Sequence, residues 1–183
     1  MSTRRQHSNN GGAAKPVELP PGIGPHRGSS SGEGLRIGIV ASRFNSDVTD
    51  LLLKGAVEAL LEAGVTDDRI VAVSVPGAFE IPGTAQALAS HVDAVVCLGC
   101  VIRGETEHFT YVASGVQQGV VRVSLDTGVP VIFGVLTTDN VEQALDRAGG
   151  ELGNKGAEAA LDAVEMANLY NLLSTAPDPS EAR

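Results

Sequence analysis

AVVCLGCVIRGETEHFTYV, residues 94–112, changes character once. Its first nine residues are apolar or small without a break, the pattern of a strand buried on both faces. From Arg103 the chain turns polar, and six residues supply an arginine, a glycine, two glutamates, a threonine and a histidine. Apolar spacing resumes at Phe109, with Val112, Ala113 and Val116 at a helical period. The polar cluster therefore falls at a strand-to-helix turn, at the carboxyl end of a buried strand, where open α/β sheets bind ligands. His108 is the group in this turn expected to do chemistry.

The same alternation runs outward in both directions. Upstream, Leu35 to Ala41 (LRIGIVA) reads as a first strand, followed by a loop Arg43-Phe44-Asn45 in which Asn45 or Ser46 suits a helix cap. Val48, Leu51, Leu52, Ala56, Ala59, Leu60 and Ala63 trace one helical face that stops at Gly64. Arg69 to Val75 is a second strand, and Pro82 suits the first turn of a helix reaching Ser90. Downstream, the helix begun at Phe109 runs to about Leu125, and Val129 to Leu136 is a fourth strand. Thr137 to Asn140 reads as a capped turn into a helix ending near Arg147. Glycines 149, 150, 153 and 156 mark a bend before a last, alanine-rich helix, Ala157 to Leu173. Strands alternating with helices predict a three-layer α/β fold. Its centre is a mostly parallel four-stranded sheet with helices on both faces, and that strand number is closer to a flavodoxin-like layout than to a full dinucleotide fold.

Length and composition bound the possibilities. A chain of 183 residues with 43% hydrophobic and 19% charged side chains supports one globular domain without disulfides or metal. Residues 1–34 are rich in Gly, Ser, Pro and Asn and read as a flexible N-terminal extension, with Lys15 to Pro20 able to add a short edge strand. Residues 35–173 form the domain, and residues 174–183 a flexible tail. No apolar run approaches the length of a membrane span. Arg4-Arg5 has no apolar stretch after it, so a secretory signal is not expected, although the acid-free first fifteen residues would also suit a transit peptide. Two cysteines and no export signal fit a reducing cytoplasm. The net charge of −9 argues against nucleic acid as a partner.

The charge is uneven. Residues 1–34 hold four basic and two acidic side chains, leaving 9 of the 13 basic and 20 of the 22 acidic groups in the rest. In that acidic body Arg43, Arg103, Arg147 and Lys155 stand beside strand ends. Singly each reads as a solvated surface charge; together they favour an anionic ligand. Phe44 and Phe79, two of only four phenylalanines, fall in loops. Each serves equally as a plug for the sheet top or as a stacking face for a flat heterocycle. Gly104-Glu105-Thr106 before a helix offers free N–H groups to a phosphate, a weak signal by itself. Histidine is the side-chain type suited to proton transfer near neutral pH, which singles out His108, but a lone histidine is more often structural. Cys97 and Cys100 form a C-x-x-C within a strand, where i and i+3 face opposite sides, so neither a disulfide nor a shared metal is expected. No G-x-G-x-x-G is present, and Gly153 to Gly156 lacks the rest of a phosphate-binding loop.

Six segments carry a resemblance, in order and in register across roughly residues 35–173. They are Arg43-Phe44-Asn45, Val75 to Pro82 (VPGAFEIP), Gly99 to His108 (GCVIRGETEH) and Phe133 to Thr138 (FGVLTT). Glu142-Gln143-Ala144 with Arg147-Ala148-Gly149, and Gly153 to Leu161 (GNKGAEAAL), complete the set. With them the chain resembles the lumazine synthases of riboflavin biosynthesis. The resemblance implies condensation of 5-amino-6-(D-ribitylamino)uracil with 3,4-dihydroxy-2-butanone 4-phosphate, giving 6,7-dimethyl-8-ribityllumazine, phosphate and water, with no metal and no cofactor. It implies that Phe44 stacks on the pyrimidine, that Ala78, Phe79 and Glu80 hold the ribityl chain, and that the backbone of Cys100, Val101 and Ile102 meets the pyrimidine edge. Glu105 (through its backbone), Thr106 and Arg147 would seat the phosphate, and Phe133 of a neighbouring subunit would close the site. Lys155 and Glu158 occupy site positions too, and His108 is the acid/base. The resemblance further implies a pentamer with sites between subunits, and riboflavin synthase as a partner. The link from Gly149 to Gly156 is short, as in shell-forming members of that family, and the resemblance there implies a 60-subunit shell of twelve pentamers. Two rival readings use the same features: a non-catalytic flavin or lumazine carrier, and a structural shell protein with a vestigial site.

Overall fold

The structure, a computed structural model, describes residues 26–175. Lys15 to Pro20 lies outside the described residues. Four parallel strands, β1 (Ile37–Ser42), β2 (Ile70–Val75), β3 (Ala94–Ile102) and β4 (Val131–Thr138), pair in the order β2-β1-β3-β4. All six residues of β1 are buried, as are the first eight of β3, so the unbroken apolar runs belong to the two central strands.

The chain fills the sheet from the centre outward in both directions. From β1 it passes through α1 (Ser46–Glu62) to β2, then crosses back through α2 (Ile81–Ala89) to β3 and on through α3 (His108–Thr127) to β4. Helix α4 (Val141–Asp146) and helix α5 (Lys155–Thr175) follow. Helices α1 and α5 cover one face, packing Leu52, Leu60, Ala160 and Val164 on Ile37, Ile39, Val96 and Leu98. Helices α2 and α3 cover the other, packing Ile81, Ala85, Val116 and Val120 on Val40, Val95 and Cys97. A side chain at Gly156 would strike the Leu52 carbonyl, so glycine there permits the close contact of α1 with α5.

Cys97 and Cys100 enter opposite cores and are both free. Two local features differ from expectation. Asn45 stands at the N-cap of α1 but makes no capping bond; it is left-handed, with φ 61°, and its amide is used elsewhere. The glycine bend contains an antiparallel hairpin, β5 (Ala148–Gly150) with β6 (Gly153–Asn154), whose turn relies on positive φ at Gly149 and Gly153. Asn154 fastens this hairpin. Its Nδ2 donates to Leu51 O and Ala148 O, and its Oδ1 accepts from the N–H groups of Gly156 and Ala157. Residues 28–33, counted with the extension by composition, lie against the helices: Asn168 Nδ2 donates to Ser29 O and Ser31 O, each at 2.8 Å. Among the described residues no helix is long and apolar enough to cross a membrane.

Candidate active site

Strand order reverses between β1 and β3, and the crevice at their carboxyl ends is the expected ligand position for such a sheet. A cleft of about 590 Å³ opens there. It is walled by Phe44 after β1, by Gly77 to Glu80 after β2, and by the end of β3 (Cys100 to Ile102) with Gly104, Thr106 and His108 beyond it. Phe109 and Val112 of α3 close its base.

Each wall has a local cause. Phe44 is 69% exposed, so it does not plug the sheet top; the loop that carries it is tied down by Asn45 Nδ2, which donates to Cys100 O at 2.9 Å. Phe79 is 62% exposed and sits on a 3-10 turn, Ala78–Glu80. That turn is closed by Glu80 Oε2, which accepts from the Gly77 N–H at 2.9 Å. The ring of Phe79 rests on Gly115 of α3, where an added Cβ would lie 2.8 Å from Cε2. Two aromatic faces thus remain open to the cleft, held from behind.

The polar wall is the turn 103–107. All five residues are exposed, and α3 begins at His108. Thr106 Oγ1 accepts from the His108 N–H at 3.4 Å. The imidazole stands exposed at the cleft margin with the N–H groups of the first α3 turn beside it, an arrangement suited to an anion next to a proton carrier. Glu105 is exposed and does not line the cleft.

Among the described residues no lysine or arginine lines this cleft. Arg43 leans on Ser74, with NH1 at 3.5 Å from its carbonyl and 3.4 Å from its hydroxyl. Arg103 pairs with Asp139 at 2.8 Å. Arg147 and Lys155 lie in a second hollow of about 340 Å³ along the free edge of β4. Of the residues expected to share one site, Phe133, Arg147, Lys155 and Glu158 are all here, apart from His108. Lys155 Nζ pairs with Glu158 Oε2 at 2.6 Å. Arg147 donates from NH1 to Gln143 O and makes no ion pair among the described residues. Phe133 is 41% exposed on the edge strand.

Among the described residues of one chain, then, Phe44, Phe79 and His108 line one hollow and Arg147 and Lys155 another. Sequence reasoning placed every one of these groups beside a strand end but did not separate the two hollows, because the separation depends on which edge of the sheet each strand occupies. It also missed Phe109 and Val112 as cleft residues, since both carried only a helical-core signal. Among the described residues no group of three or more His, Cys, Asp or Glu side chains is placed to hold a metal.

The model of one protein family, described as 6,7-dimethyl-8-ribityllumazine synthase, matches residues 34–171, well over half of the chain.

Proposed function

The chain belongs to the 6,7-dimethyl-8-ribityllumazine synthase family, transferases of the penultimate step of riboflavin biosynthesis, and from that membership we propose how its two hollows carry out the reaction. The step joins 5-amino-6-(D-ribitylamino)uracil to 3,4-dihydroxy-2-butanone 4-phosphate. The catalytic unit is residues 35–173. The pyrimidine stacks on Phe44, with the backbone of Cys100, Val101 and Ile102 along its edge. Ala78, Phe79 and Glu80 hold the ribityl chain. The phosphate sits on the N–H groups around Glu105 and Thr106. His108 moves protons during Schiff-base formation, loss of phosphate and ring closure, steps in which orientation and a proton shuttle supply much of the rate.

One observation carries the assembly reading: among the described residues no lysine or arginine lines the cleft that must hold a phosphate dianion, while Arg147 and Lys155 lie in a separate hollow. Juxtaposing that hollow of one copy with the His108 cleft of the next supplies Arg147 to the phosphate and Phe133 as a lid, with Lys155 and Glu158 at the rim. Helix α3 offers a surface for such an assembly. Tyr111, Val121 and Leu125 are 73%, 49% and 77% exposed and, with Ser114 and Gln118, follow a seven-residue repeat along one face. A closed ring of five is the reading, with a 60-subunit shell as its higher form. The site of action is the cytoplasm, and riboflavin synthase is the partner that takes the product.

The test mixes the full chain with both substrates and follows the visible absorption of the lumazine. Formation above the uncatalysed rate supports the reading. No acceleration with tight flavin binding would make the protein a carrier, and neither activity nor binding would leave a structural shell.

A further inference from the structure

One side chain outside these roles bridges the turn after β4 and the cleft wall at Phe109. Arg103 leaves the end of β3 with its Nε donating to Asp139 Oδ1 at 2.8 Å. Its Cζ lies 4.4 Å from the centroid of the Phe109 ring. Its own N–H donates to Thr138 O at 2.8 Å. Arg103 therefore touches the turn after β4 and the first turn of α3, where Phe109 follows His108 and lines the cleft. The polar contacts continue beyond Asp139. Its N–H donates to Gln143 Oε1 at 3.1 Å, and Gln143 O accepts from Arg147 NH1 at 2.9 Å.

Stability gives little reason for this arrangement. The side chains of the pair are 56% and 67% exposed, and ion pairs so open to water add little to folding. The turn 103–107 buries none of its side chains, and its other side-chain bond is the long one from the His108 N–H to Thr106. A planar guanidinium can stack on a ring and donate at its edge in the same pose, which a lysine ammonium cannot. We propose that Arg103 is a positioning residue of the synthase reaction: clamped between Phe109 and Asp139, it holds His108 and the neighbouring N–H groups at the substrate. The inference rests on the reading that this cleft is the reaction site.

The experiment compares steady-state kinetics and thermal melting of the full chain with Arg103→Met, Arg103→Lys and Asp139→Asn. Arg103→Met is expected to lower kcat by about tenfold or more, with the KM for the phosphate-bearing substrate moving less, since misplacing a proton carrier acts on the transition state. Its melting temperature should stay within about 3 °C of the parent. Arg103→Lys should recover only part of the loss, and Asp139→Asn, which keeps both Arg103 and an acceptor, should retain most of the parent kcat. Combining Arg103→Met with Asp139→Asn should add little to Arg103→Met alone. Parent activity with Arg103→Met within twofold in kcat would overturn the proposal and leave the synthase reading standing. So would a loss of kcat that simply follows unfolding and is fully restored by lysine. A parent chain without synthase activity would overturn both.

Discussion

Asn45 Nδ2 donates to Cys100 O at 2.9 Å, joining the loop that presents Phe44 to the carboxyl end of the central strand β3. The contact explains why Asn45 is left-handed: at φ 61° its amide is free of the helix it precedes and reaches across the sheet. Asparagine tolerates that conformation better than other side chains. Asn45→Ala should cost about 2 kcal/mol, from backbone strain and the lost bond together. Asn45→Gly removes the strain and isolates the bond, so it should cost roughly half as much in a denaturant titration. Equal losses for Ala and Gly would show that φ plays no part.

His108 stands at the first residue of α3, exposed at the cleft margin. His108→Ala should slow turnover by about 10²-fold or less, because proton transfer supplies only part of the rate gain. Single-turnover kinetics with both substrates would measure it, and an unchanged rate would remove His108 from the mechanism.

Gly115 supports the Phe79 ring from behind. Gly115→Ala places a methyl 2.8 Å from Cε2 and should tilt the ring into the cleft. The KM for the ribityl-bearing substrate should rise severalfold with kcat little changed, the signature of lost uniform binding. A kcat loss at constant KM would place Phe79 in the chemistry instead.

Burial raises the Cys97 thiol to about 12 and the Cys100 thiol to about 11, from an ordinary value of 9.0. In the unfolded chain both ionise near 9, whereas in the fold they stay protonated. The unfolded state therefore binds fewer protons between these values, and stability falls as pH rises from about 9 toward 11–12. Denaturant midpoints measured across that range should decline, and the decline should shrink in the Cys97→Ala, Cys100→Ala variant. A native protein that reacts with a thiol reagent at pH 8 as fast as the unfolded chain would contradict the burial.

Much of this was legible in the sequence. The apolar run Ala94 to Ile102 identified the central strand, the period after Phe109 identified α3, and the i, i+3 spacing of the cysteines placed them in opposite cores. Phe44, Phe79 and His108 converge because each follows a strand that ends at the same sheet edge. What escaped was set by tertiary geometry. Asn45 has the composition of a cap, and only its φ redirects it to Cys100. The β5–β6 hairpin hides in a glycine bend because its two-residue pairing leaves no alternating pattern. The four cations were grouped as one anion site, but strand order sends Arg147 and Lys155 to the outer edge of β4 and Arg103 to Asp139.

The 60-subunit form has its own test. Light scattering should find particles of that size across a wide range of protein concentration, and pentamers alone throughout would count against the shell.

The separation of His108 from Arg147 within one chain makes subunit complementation the most direct measurement. In the proposed ring, His108→Ala and Arg147→Ala each disable one hollow, and co-expressing them in equal amounts gives mixed assemblies. If every site joins the His108 cleft of one chain to the Arg147 hollow of the next, about one site in four receives both intact halves. The mixture should then recover about a quarter of the parent activity, far above either variant alone. Activity no greater than the average of the two variants would contradict a site shared between chains.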